Sequence, residues 1–128
     1  MVTLSMAEPR ISGFHAAAAD RAEGRVDLQA RFVPHPHATF LVRCASDALA
    51  SRAIRSGDLC VVDRSLEPRH GDVVIATAGD DVLVRVLDRT PGRPPSLTAD
   101  PPHTPVLLNP EAGIEIWGVV SAVVRALR

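Results

Sequence analysis

The chain has 128 residues, a length that suits one domain and lets folding bury about two-thirds of the unfolded chain's surface. Hydrophobic residues make up 46% and charged residues 23%, the mix of a globular protein rather than a disordered one. Its 14 basic and 15 acidic side chains nearly cancel, which speaks against a nucleic-acid binder whose affinity rests on many phosphate contacts.

Every basic side chain is arginine. Without lysine the chain has no amine to act as a general base or Schiff-base former. Cys44 and Cys60 are the only cysteines, too few for a disulfide framework. No apolar run is long enough for a transmembrane helix. Met1 to Arg10 lacks the charged and apolar regions of a signal peptide, so the expected location is the cytoplasm.

In chain order, Met1 to Arg31 shows no sustained period. Ala16 to Ala19 favours helix locally, but Gly13 and Gly24 interrupt it. The expectation is a flexible N-terminal arm over residues 1–30, extended or looped, and one β-rich domain over residues 31–128. Phe40 to Arg43 is the first strand. Asp47 to Ile54 is Ala-rich and predicts about two turns of helix. Leu59 to Val62 follows the turn residues Ser56-Gly57-Asp58, and Val73 to Thr77 follows Gly71-Asp72. Val82, Val84 and Val86 alternate with Leu83, Arg85 and Leu87, and Ala78-Gly79-Asp80-Asp81 joins this strand to the previous one as a hairpin. Asp80 and Asp81 read as its solvated tip.

Thr90 to Pro105 carries six prolines, which predicts a loop or an extended edge and no central strand. Val106 to Leu108 and Ile114 to Val124 close the chain. Gly118 inside the last strand marks a bulge or bend. That strand is long and apolar, so it is expected at a sheet edge, where it invites pairing with another chain. Trp117 within it reads as core or interface packing.

His35 and His37 stand at strand spacing and could share a face, but a metal site needs three or four ligands and no third lies nearby in the sequence. A proline-rich surface loop is the simpler reading; no metal and no cofactor are expected. Cys44 and Cys60 are expected to be buried small apolar residues.

One ordered set of segments is more specific than any of these features. It comprises Gly13-Phe14, Ala18-Ala19-Asp20, Arg25-Val26-Asp27-Leu28, His35-Pro36 with Ala38-Thr39, and Ser56-Gly57-Asp58-Leu59 with Val61-Val62-Asp63. It continues with His70-Gly71-Asp72-Val73-Val74-Ile75-Ala76 and closes on Trp117-Gly118-Val119-Val120 and Val123-Val124-Arg125-Ala126-Leu127-Arg128. From Gly13 onward the chain resembles UmuD and, more distantly, the C-terminal domain of LexA, members of a family of self-cleaving Ser–Lys peptidases. The resemblance implies a mostly β domain of the LexA and signal-peptidase-like type, with curved sheets and an N-terminal arm.

The family's serine lies in a Gly-Asp-Ser-Met motif, and the matching stretch here is Ser46-Asp47-Ala48-Leu49. Its lysine lies in a Val-Lys motif, and the matching pair is Val84-Arg85. Ala48 has no oxygen to activate, and a guanidinium, protonated up to a pKa of about 12 or more, cannot act as the base. Ser46, two residues upstream, would still lack a base; Ser51 and Ser56 read as a helix and a turn residue. The expectation is therefore a chain without catalytic residues, Arg85 lying near the Ala48 methyl with its charge matched by a carboxylate or water. Ser12-Gly13 matches the bond the family cuts in itself.

The resemblance implies a homodimer in the SOS response to DNA damage that partners a UmuC-like Y-family translesion polymerase. Less directly, it implies contacts with the RecA filament and the sliding clamp. No specific nucleic-acid binding and no membrane association are expected. The alternatives are a self-processing serine peptidase with an unrecognised nucleophile and a regulator that heterodimerises with an active homologue.

Overall fold

The computed structural model describes residues 27–128. Ser12 and Gly13, and all but the last few residues of the arm, lie outside them. Asp27 caps a short helix α1 (Leu28–Phe32) through a 3.0 Å bond from the Ala30 N–H to its carboxylate. No helical period marks these residues; the local Asx cap supplies what periodicity does not.

Seven strands follow: β1 (Thr39–Arg43), β2 (Leu59–Asp63), β3 (Val73–Ala78), β4 (Asp81–Asp88), β5 (Ser96–Thr98), β6 (Val106–Leu107) and β7 (Ile114–Val124). They form one antiparallel sheet in the order β1-β2-β7-β3-β4-β5-β6. The fold is thus mostly β, as expected, and the strands before residue 90 lie where β-branched alternation and Gly-Asp turns place them. β3 and β4 meet in a two-residue loop, with Ala78 opposite Asp81. Gly79 takes φ 64 at the first loop position, the conformation of a II′ turn, whose twist matches that of the flanking strands. Asp80 and Asp81 are exposed at its tip.

β7 departs from expectation. It is no edge: it lies between β2 and β3, and the outer strands among the described residues are β1 and β6. Both of its hydrogen-bonding edges are therefore taken by β2 and β3, and along it Gly118 and Val119 are buried while Val124 stays exposed. Register shifts against both neighbours put irregularities near Trp117-Gly118 and near Ser121, so the bulge expected at Gly118 is present. A Cβ at Gly118 would stand 2.6 Å from Val62 Cγ1, and Val62 is fully buried, so β2 passes too close for a side chain there.

The proline-rich segment also differs from expectation. Ser96-Leu97-Thr98 forms β5, bonded to β4 on one side and β6 on the other, with Leu97 fully buried. The prolines bracket this tripeptide instead of interrupting it, which leaves its N–H groups free for the ladder. Between β1 and β2 the expected two-turn helix is replaced by a 3-10 turn (Ala50–Arg52) that ends at Ala53 in the left-handed region, φ 61.

Alternate residues of β3 feed two apolar clusters. Ile75 joins Cys44, Leu49, Ile54, Cys60, Val62 and Val84. Val74 and Ala76 join Leu87, Leu97 and Val119. Both cysteines are buried and unpaired, and burial pushes the Cys60 thiol up to about 11, so it is an inert packing residue at neutral pH.

Candidate functional site

The turn after β1 is held by side chains rather than by helical bonds. The Ala48 N–H donates to Ser46 Oγ at 2.9 Å, and the Asp47 carboxylate accepts the Ser56 N–H at 3.1 Å. The Ala48 carbonyl accepts the Asp100 N–H at 2.8 Å, while the Asp100 carboxylate accepts both the N–H and the hydroxyl of Ser51. These bonds clip the turn to the segment after β5 and keep it in the tighter 3-10 form. Ala48 is 2% exposed.

Arg85 sits on β4 opposite Val74, on the face that β4 shares with Leu87. It is 9% exposed, and its Nη1 donates to its neighbour's carbonyl, that of Val84, at 2.8 Å. Its Nε is buried without a hydrogen-bond partner among the described residues. None of the ion pairs there includes it, so the expected carboxylate match is not found. The reason is local: β-register surrounds this position with the apolar Val74 and Leu87, and desolvation pulls the guanidinium pKa below its usual value. Among the described residues no hydrogen bond joins Arg85 to the Ala48 turn, and it is Val84, on the opposite face of β4, that shares an apolar cluster with Leu49, so the expected approach of Arg85 to the Ala48 methyl has no contact behind it.

The other hydroxyls near the turn meet no strong base. Ser46 Oγ accepts from the Ala48 N–H. Ser51 is bonded to Asp100, whose carboxyl is held below the usual range first by the Ser51 hydroxyl and then by its N–H, which makes it a weaker base.

Sequence reasoning missed two charged clusters. His35 does not share a site with His37; its Nδ1 meets the buried Asp63 carboxylate at 2.7 Å, and the other Asp63 oxygen accepts the N–H and hydroxyl of Ser65. No group of three His, Cys, Asp or Glu side chains among the described residues could hold a metal. Asp58, also buried, takes a two-pronged bond from Arg125, Nε to Oδ1 at 2.7 Å and Nη2 to Oδ2 at 2.6 Å. Arg125 holds the Asp58 carboxyl down to about 2, helped by the Arg55 N–H. Both pairs join residues far apart in sequence, and periodicity carries no signal for them.

Residues 10–121 match the family model described as Peptidase S24-like. The protein SamA of Salmonella typhimurium is 38% identical over 117 residues, covering 91% of this chain and 81% of its own length. The protein MucA of Escherichia coli is 33% identical over 114 residues, covering 88% of this chain and 77% of its own length. The LexA repressor of an Azoarcus species is 32% identical over 109 residues, 84% of this chain and 54% of that repressor. The chain belongs to the peptidase S24-like family, and its seven-stranded antiparallel sheet is that family's β-rich fold. No helix among the described residues is long and apolar enough to cross a membrane.

Proposed function

We propose that this chain is a non-catalytic, UmuD-like protein of the SOS response, a cytoplasmic dimer that partners an error-prone Y-family polymerase. The observation that carries the proposal is the pair Ala48 and Arg85 at the positions where the family has its serine and lysine, in a chain that contains no lysine anywhere. A methyl group cannot attack a carbonyl, and a guanidinium cannot take a proton at neutral pH. The similarity to SamA and MucA supports the mutagenesis role rather than the repressor role, since these relatives match over most of their length whereas LexA matches over about half. Contacts with the RecA filament and the sliding clamp belong to the same proposal.

A binding role is tested by co-expressing the chain with the Y-family polymerase of its own source cell and passing the mixture over a sizing column with light scattering. The proposal expects the polymerase to co-elute with two copies of the chain, and the chain alone to run as a dimer at micromolar concentration. A chain that stays monomeric at high concentration and leaves the polymerase alone would remove it.

A further inference from the structure

A basic pocket at the end of β1 has no part in the dyad positions. It is a concavity of about 460 Å³ lined by three arginines, Arg43, Arg55 and Arg125, and one acidic residue, Asp58. Asp58 is already saturated by the two-pronged bond from Arg125 and by the Arg55 N–H. Arg43 spends one N–H on the Gly57 carbonyl. The exposed Arg55 side chain makes no ion pair or hydrogen bond among the described residues, so the pocket carries unneutralised positive charge although the chain's formal net charge is -1. Leu59 and Val124 supply an apolar portion of the same wall.

We propose that this pocket binds an acidic segment of a partner protein, with carboxylates on Arg43 and Arg55 and a neighbouring apolar side chain against Leu59 and Val124. Three observations favour carboxylates on a peptide over phosphates on a nucleic acid. The charge is gathered in one compact pocket instead of along a stripe, the net charge of the chain gives no wider attraction for a polyanion, and the apolar wall suits a side chain. Arg43 ends β1, which pairs only with β2 among the described residues, so an extended segment alongside that edge leads straight to the pocket. This site stands independently of whether positions 48 and 85 are inactive.

The test is fluorescence anisotropy with a labelled peptide of alternating Glu and Leu, beside a single-stranded oligonucleotide of equal charge. The full chain should bind the peptide, and Arg55→Ala should weaken it by about tenfold, the worth of one charge-assisted contact. Arg43→Gln should weaken it similarly, whereas Arg69→Ala, outside the pocket, should bind as the parent does. Arg55→Ala should also melt with the parent, so that its effect reports the contact and not the fold. Absence of peptide binding, or binding indifferent to Arg55 and Arg43, would overturn the proposal. So would an oligonucleotide that displaces the peptide and shows the same dependence on Arg55, because the pocket would then be a phosphate site.

Discussion

Arg85 carries a charge into an apolar stretch of the sheet, where its one hydrogen bond among the described residues goes to a backbone carbonyl. A buried cation without a counter-charge lowers stability, and an apolar side chain of similar reach commonly restores it. Arg85→Met should therefore raise the melting temperature, read by differential scanning calorimetry; a clear drop would mean that the guanidinium has a partner that holds it. Asp58 is the opposite case, a buried carboxylate fully matched by Arg125. Its folded pKa, about 2, lies below the ordinary 3.8, so the folded state binds this proton less readily than the unfolded state. The resulting stabilisation is complete above the ordinary value and is lost as pH falls from there toward 2. Asp63, Asp88 and Asp100 are shifted in the same direction, mainly by the hydroxyls of Ser65, Thr90 and Ser51, and add to an acid-labile fold. Arg125→Ala should remove the Asp58 share, lowering the melting temperature at pH 7 and flattening its fall between pH 4 and pH 2. An unchanged acid profile would contradict this.

The strands were readable where a single local rule decides them. β2, β3 and β4 are short β-branched runs behind Gly-Asp or hairpin turns, and β7 has the bounds that its apolar run implies. What local rules do not carry is order in space. β7 reads as an edge because it is long and apolar, yet β2 and β3 enclose it, and only the pairing of distant segments reveals that. The turn over residues 47–54 fails as a helix for a similar reason, since Asp100, far along the chain, takes the Ser51 N–H and hydroxyl. β5 hides between prolines because composition over a window obscures a tripeptide free of them. The bulge of β7 yields a direct check on the packing. Gly118→Ala would press a methyl into Val62, so it should cost about 1–3 kcal/mol, the usual penalty for overpacking a filled core, read from urea unfolding. A neutral effect would show that β2 yields at that crossing.

For the chain as a whole, family and fold were legible because many weak segments recur in one order, and residues 10–121 match the family model. The two positions that bear on chemistry were legible only through the same resemblance; nothing in periodicity or spacing singles out Ala48 or Arg85. Their surroundings, the Ser46 hydroxyl on the Ala48 N–H and the clip to Asp100, depend on tertiary contacts. That occupied N–H bears on any attempt to restore cleavage, because a backbone donor at the serine position is where an oxyanion would be met. Intact mass spectrometry, after about a day at roughly pH 9 to 10 where a lysine near its ordinary pKa begins to deprotonate, is the most direct test. The unmodified protein and the single variants Ala48→Ser and Arg85→Lys should keep their full mass, while the double variant should lose the segment ending at Ser12, a strongly non-additive pair. Cleavage between Ser12 and Gly13 in the unmodified protein would contradict the proposal that the chain is non-catalytic.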